Sequence, residues 1–177
     1  IIPSYNHAAY IRETILSVCD QTWPAIEIIV IDDGSTDTSP AILSALDIPN
    51  LQVFFQENQG TAATLNRGFE LAQGKYISIL NSDDLYHPDR IKTLVQALEV
   101  SKKNALFAFS HVKLIDESGE PVTSGNAFEW LLAAQKRLTE ETSIPLAVLR
   151  DNFTCTSSNF LFHHSLVQEI GGFQDYR

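Results

Sequence analysis

Cysteine is nearly missing from this chain of 177 residues, with only Cys19 and Cys155, and methionine is absent altogether. Two cysteines so far apart form neither a metal-ligand spacing nor a disulfide framework, so both are expected as reduced thiols in a reducing cytoplasm. Positive charge is scarce as well: 12 Lys and Arg against 22 Asp and Glu leave a formal net charge of −10. Nucleic-acid binding needs a clustered basic surface to neutralise phosphates, and these few cations are scattered, which excludes nucleic acid as a partner. No run approaches the roughly 20 consecutive apolar residues that span a bilayer, and no basic stretch leading into an apolar one opens the chain, so neither a membrane span nor a signal peptide is expected. Internal repeats and low-complexity tracts are lacking too. The chain starts inside an apolar run, Ile1-Ile2-Pro3, so an initiator and part of a first strand are expected to lie outside it.

What is present suffices for one sizeable core. An apolar fraction of 44% over this length favours a single globular domain. Up to about residue 100, short β-branched runs alternate with helical periodicity, the pattern of βαβ units feeding a mainly parallel, doubly wound sheet. A stub at Ile1-Ile2 leads into the loop Pro3-Ser4-Tyr5-Asn6. A helix follows in which Ile11, Ile15, Val18 and Cys19 recur at helical spacing until Trp23-Pro24 stops it. Residues 27–31 read as a central strand covered on both faces, emptying into Asp32-Asp33-Gly34-Ser35. Ser39 with Pro40 predicts an N-cap and first helical position for residues 41–46. A strand over 51–56 comes next, then a helix over 61–72 with Gly74 as its C′ residue. A strand over 76–80 delivers Asn81-Ser82-Asp83-Asp84 to the same sheet edge as Asp32 and Asp33, because parallel strands of such units end on one side. A helix over 88–100 buries Ile91, Leu94, Val95 and Leu98, and a strand over 105–114 closes this half. Beyond it the pattern loosens into a turn at 117–121, a helix near 128–138, a strand near 158–162 and a short helix ending at Gly171-Gly172.

Four features converge on one edge of that sheet, where open α/β sheets bind ligands. Tyr5 follows a strand and offers a ring that can lie against a nucleobase, although loop tyrosines ordinarily pack or face solvent. Asp32 and Asp33 sit beside a buried strand: a carboxylate there can accept the imide N–H of uracil while its partner fixes the Gly34 turn. The plainer reading makes both turn formers, with Gly34 at positive φ. Asn81-Ser82-Asp83-Asp84 is the metal candidate, since hard carboxylate oxygens suit Mg²⁺ or Mn²⁺ and an acidic protein needs a cation between itself and a phosphorylated ligand. The plainer reading has Asp84 capping the next helix. The turn Asn58-Gln59-Gly60-Thr61 opens a helix whose free N–H groups can meet phosphate or base, but it lacks the glycine spacing of a P-loop or dinucleotide fingerprint, against NTPase and NAD readings. His7, His87, His111, His163 and His164 show no ligand spacing and read as solvated; His87, three residues after Asp84, is the one to follow.

In order and spacing, Pro3-Ser4-Tyr5-Asn6, Asp32-Asp33-Gly34-Ser35-Thr36-Asp37, Asn58-Gln59-Gly60 with Asn66-Arg67-Gly68, Asn81-Ser82-Asp83-Asp84 and Gly171-Gly172-Phe173 closely resemble the family 2 glycosyltransferases over nearly the whole chain. The resemblance implies an α/β GT-A fold, a Rossmann-like, mostly parallel sheet flanked by helices with a smaller acceptor-side lobe. It implies one domain over 1–177, its nucleotide-sugar half at 1–115 and part of an acceptor-side half at 116–177. The implied donor is a nucleotide-diphosphate sugar, often UDP-linked, attacked with inversion by a hydroxyl of a glycan or lipid-linked acceptor, in cell-envelope polysaccharide synthesis. The expected location is cytoplasmic, at the inner membrane face if the full-length protein is anchored there. Pro3 and Tyr5, with Asn6, match the loop that holds the base. Asp33 matches the carboxylate that reads uracil and Asp32 its neighbour; Gly60, Asn81 and Ser82 complete the implied substrate-binding set. Asp83 matches the metal-binding end of the family's DxD signature, with Asp84 a weaker candidate.

Two departures stand out. The signature's first position is Asn81, which can donate to a ribose or phosphate oxygen but brings no charge. The family's general base lies in an acidic pair shortly after Gly-Gly-Phe, and Asp175 follows Phe173 too closely to match it, so the base is expected beyond Arg177 and the 177 residues alone are expected to transfer sugar poorly. Two other readings stay open. A nucleotidyltransferase would share the sheet but carry a Gly-rich, basic phosphate loop, and Pro3-Ser4-Tyr5-Asn6 has no such charge. A non-catalytic sugar-nucleotide or scaffold module would keep the fold, which the Asn81 replacement favours.

Overall fold

The fold was established from a computed structural model, which describes residues 1–101, 104–140 and 155–174. Three parallel strands form its centre: β1 (Ile2–Ser4), β2 (Ile28–Asp33) and β3 (Leu51–Gln56), in the order β1-β2-β3. The β-branched run of β2 is buried along its whole length, as a strand covered on both faces must be. Alternate residues of this strand enter one apolar layer. Ile28 and Val30 join Ile11, Ile15 and Val18 of α1 (Ile11–Cys19), Leu43 of α2 (Ser39–Ser44), and Leu94, Val95 and Leu98 of α4 (Arg90–Glu99). On the opposite side α3 (Thr61–Leu71) sets Leu65 and Phe69 against Ile77 and Ile79.

The second half of the sheet differs from a purely parallel continuation. The backbone of Ile1 donates to the Ser78 carbonyl (2.8 Å) and accepts from the Leu80 N–H (3.0 Å), a parallel pattern that puts β4 (Tyr76–Ser78) beside β1. Beyond β4 the order is β4-β6-β5, with β6 (Phe160–His163) antiparallel to both β4 and β5 (Phe107–Phe109). A distant strand thus inserts between two that are closer in sequence. The strand expected over 105–114 shrinks to Phe107–Phe109, followed by a turn in which Asp116 Oδ1 accepts from Ser118 and Glu120, closed by the Ile115–Pro121 bridge. Two further helices are α5 (Asn126–Glu140) and α6 (Ser165–Ile170), the latter ending at Gly171 in the left-handed region, φ 80°.

Local chemistry corrects several expected boundaries. α1 stops at Cys19, which is exposed, and Thr14 takes its place on the buried face. Ser39 does not cap α2: it lies inside the first turn, with Thr38 at the N-cap, and its own N–H, one of the free donors of that turn, is satisfied by Asp37 Oδ1 (2.8 Å). α3 ends at Leu71 with Ala72 extended, so Gly74 is no C′ glycine; Gln73 and Gly74 instead give their N–H groups to Glu27 Oε1, each at 2.7 Å. α4 begins at Arg90 after Asp89, and Asp84 does not cap it.

Candidate donor site

The carboxyl ends of β1, β2 and β4 surround a cleft of about 350 Å³ lined by Pro3, Ser4, Tyr5, His7, Asp33, Thr61, Thr64, Asn81, Ser82 and Asp83. Six residues picked out from the sequence therefore meet here: Pro3, Tyr5, Asp33, Asn81, Ser82 and Asp83. Asn6, Asp32, Gly60 and Asp84 do not line it but brace the loops around it through hydrogen bonds. A larger apolar cavity of about 400 Å³ lies by the start of β1, against Trp23, Ile26 and Tyr76; none of the motif carboxylates lines it.

The two adjacent aspartates divide the work. Asp32, 1% exposed, turns both oxygens onto Ser35, accepting its N–H at Oδ1 (2.9 Å) and its hydroxyl at Oδ2 (2.6 Å), which fixes the Gly34 turn. Gly34 is required there, with φ +75° and only 2.8 Å between an added Cβ and the Asn58 nitrogen. Asp33 points the other way. Its Oδ1 accepts from Gln56 Nε2 (2.7 Å) and the Gln59 N–H (2.9 Å), and its Oδ2 from the Gly60 N–H (2.9 Å). Burial pushes this carboxyl up, but the donors from Gln56, Gln59 and Gly60, with the nearby Thr64 hydroxyl, outweigh it and hold it below the ordinary carboxylate range. Three of the roughly four acceptor positions of a carboxylate are used, leaving Oδ2 able to take one more donor. Gln56 is oriented in turn by Arg67, whose Nη1 donates to Gln56 Oε1 at 2.8 Å.

Asn6 ties the first loop to the second. At φ 54° its Oδ1 accepts the Thr36 N–H (2.7 Å), and its own N–H donates to Ser35 Oγ (2.9 Å). Tyr5, 46% exposed, is thereby held with its ring free at the rim.

At the β4 side, Asp84 Oδ2 is committed inward, accepting from Ser158 Oγ (2.6 Å), Thr156 Oγ1 (3.3 Å) and Asn81 Nδ2 (3.4 Å). Asp83 is exposed, lines the cleft and makes no side-chain hydrogen bond among the described residues. No three His, Cys, Asp or Glu side chains cluster as a ready-made metal cage among the described residues. One open carboxylate facing a cleft fits a Mg²⁺ or Mn²⁺ ion that takes its other ligands from phosphate and water.

His87 leaves the site: it is exposed, and among the described residues its ring hydrogen-bonds only the Asp89 N–H, at 3.4 Å. His7, read from sequence as solvated, is instead a half-buried member of the wall, its Nδ1 2.7 Å from Ser82 Oγ. Ser4 and Thr61, read from sequence only as parts of their motifs, also line the cleft, and Thr64 does so unanticipated. The available signal was position, since Ser4 and His7 flank Tyr5 at the end of β1.

Comparison with known proteins agrees with this fold. A curated relative 35% identical over 125 residues is the putative teichuronic acid biosynthesis glycosyltransferase TuaG of Bacillus subtilis, matched over 69% of this chain and 49% of its own. Another, the glycosyltransferase GlyG of Streptococcus pneumoniae, is 37% identical over 147 residues, 81% of this chain and 46% of its own. The chain thus spans about half the length of these relatives. Among solved structures, S. aureus TarS 1–349 in complex with UDP superposes with a TM-score of 0.67 at 21% identity, covering 98% of this chain and 49% of that one. The mannosyltransferase PcManGT from Pyrobaculum calidifontis, in complex with GDP-Man and Mn²⁺, gives 0.69 at 22% identity, with 98% and 46% covered. Both share the GT-A arrangement of sheet and helices. No helix among the described residues is long and apolar enough to cross a membrane. The family model for glycosyl transferase family 2 matches residues 1–171, and the chain belongs to that family.

Proposed function

We propose that this chain binds a nucleotide-diphosphate sugar, UDP-linked, and that the whole protein transfers the sugar with inversion to the hydroxyl of a cell-envelope glycan or lipid-linked acceptor. The observation that carries this reading is the grouping, at the strand ends, of an exposed ring, a buried carboxylate with one acceptor position left, and an open carboxylate. Tyr5 covers the base. Asp33 accepts the uracil imide N–H at Oδ2. Asn81 and Ser82 address the ribose and phosphates, and Asp83 holds the divalent ion, with Asp84 fixing the backbone that carries it. When bound, that ion neutralises charge on the departing diphosphate. The general base belongs to the acidic pair that the family resemblance sets after Gly171-Gly172-Phe173, which residues 174–177 do not supply. Comparing sugar transfer by the 177 residues and by the whole protein tests that point; equal rates would sink it.

The donor-site reading is tested by calorimetric titration with UDP and GDP, with and without Mn²⁺, on the protein and its Asp83→Ala variant. Metal-dependent binding lost in the variant is the expected result. A second reading, a scaffold that kept the fold, draws on Asn81, whose Nδ2 donates to Thr156 Oγ1 (3.0 Å) and whose Oδ1 accepts from Ser157 Oγ (3.2 Å), both within the protein. Failure of either nucleotide to bind under any condition would favour it.

A further inference from the structure

His7 was absent from the motif residues, yet its setting is that of a ligand-directed donor. Its Nδ1 lies 2.7 Å from Ser82 Oγ, and Ser82 is only 2% exposed. That hydroxyl has no other acceptor among the described residues, so in the neutral ring it donates to Nδ1, placing the imidazole proton on Nε2. In the imidazolium Nδ1–H donates to Ser82 Oγ, and Nε2 again carries a proton. Either way Nε2–H is a donor, and it has no hydrogen-bond partner among the described residues. The edge contact with Tyr10, ring centroids 6.2 Å apart at 80°, holds the plane of the ring.

A second observation points to a polar ligand on this wall. Ser4 also lines the cleft, is 1% exposed, and its Oγ is a buried polar atom without a hydrogen-bond partner among the described residues. A buried hydroxyl left unpaired is costly, which favours a polar group beside this wall.

We propose that His7 is a donor-binding residue whose Nε2–H hydrogen-bonds an anionic oxygen of the donor's diphosphate. This rests on the nucleotide-sugar reading above. The assignment to phosphate, rather than base, follows from place: His7 is anchored to the residue immediately before Asp83, whereas Asp33 and its free acceptor position come from β2. Besides lining the donor cleft, Ser82 positions the ring through this hydrogen bond.

The test compares affinities for UDP and uridine in the protein, in His7→Asn, whose amide can reach only the Nδ1 position, and in His7→Gln, whose amide can reach the Nε2 position. Thermal unfolding of each variant checks the fold. The expected result is a roughly ten- to hundredfold loss of UDP affinity in His7→Asn, the scale of one hydrogen bond to a charged group. Uridine affinity should stay unchanged, and His7→Gln should recover most of the loss. Unchanged UDP affinity in His7→Asn, or equal losses for UDP and uridine, would overturn the role of His7. Failure of the unaltered protein to bind either UDP or GDP would bring down the donor-site reading itself, and this inference with it.

Discussion

The side-chain amide of Asn66 grips the backbone of Phe173 twice: Nδ2 donates to its carbonyl at 2.8 Å and Oδ1 accepts its N–H at 2.8 Å. Phe173 also stacks on Phe69, ring centroids 5.8 Å apart, and Gly172 passes so close that an added Cβ would lie 2.5 Å from Asn66 Oδ1. These contacts dock the segment after α6 onto α3. Asn66→Ala should therefore cost about 1–2 kcal/mol in urea unfolding, the sum of two partly exposed neutral hydrogen bonds. Gly172→Ala should cost at least as much, because φ +80° adds backbone strain to the close contact. Unfolding midpoints matching the unaltered protein would show that the clamp contributes nothing.

Asp33 makes a pH-dependent contribution of definite sign. Its folded pKa lies below the ordinary carboxylate value, so the stabilisation is fully present above about pH 4 and is lost as pH falls through the lower, folded value. In Asp33→Asn the amide oxygen still accepts, but its NH₂ group opposes the remaining donors. The unaltered protein should exceed this variant by about 2–3 kcal/mol at neutral pH, the scale of hydrogen bonds to a charged group, and the gap should narrow steadily below about pH 4. Denaturant titrations from pH 2.5 to 7 read this directly; a gap that widens on acidification contradicts it.

How far the sequence foretold this molecule depended on whether the signal was local. β2 was legible because a run of β-branched residues fits a strand buried on both faces, β3 because apolar and aromatic residues recur in a half-buried one, and the buried face of α4 followed from the spacing of Ile91, Leu94, Val95 and Leu98. The insertion of β6 between β4 and β5 was not, since strand order comes from pairings such as Ile77 with Phe162, far apart in the chain. Helix ends were misplaced by a residue where adjacent polar side chains offer similar caps, as Thr38 and Ser39 do. In the site, Tyr5, Asp33 and Asp83 were legible as unusual residues at strand ends. His7 was not, because a lone histidine carries no periodicity and its role is set by contact with Ser82.

Gly34 links two loops, and its replacement should be felt in both. A Cβ at this position would meet the Asn58 backbone nitrogen at 2.8 Å, and neither backbone can yield without moving residues 58–60, which supply the two N–H donors to Asp33. Gly34→Ala should lower stability by about 2 kcal/mol, from left-handed strain and the contact together, and weaken UDP binding by at least tenfold. Thermal unfolding with calorimetric titration would check both; full affinity in a destabilised variant would uncouple the Gly34 turn from Asp33.

Arg90 presents a buried cation held without a carboxylate among the described residues. It is 8% exposed, its guanidinium lies 4.1 Å from the centroid of the Tyr86 ring, and it donates to Ser78 Oγ (2.9 Å) on β4 and to the Phe160 carbonyl (3.3 Å) on β6. Burial pulls its pKa down, partly offset by Tyr86. The planar fork thus joins α4 to two strands of the second half-sheet while stacking on an aromatic face, a geometry a lysine cannot reproduce. Arg90→Lys should therefore destabilise by about 2 kcal/mol despite keeping the charge, because the ammonium loses the stack and cannot span both acceptors. Arg90→Met keeps much of the apolar stem and removes the desolvation cost of the charge, so it should be the milder change. Urea unfolding of the two variants decides the matter: lysine tolerated better than methionine would mean that the charge, and not the planar contact, holds this junction.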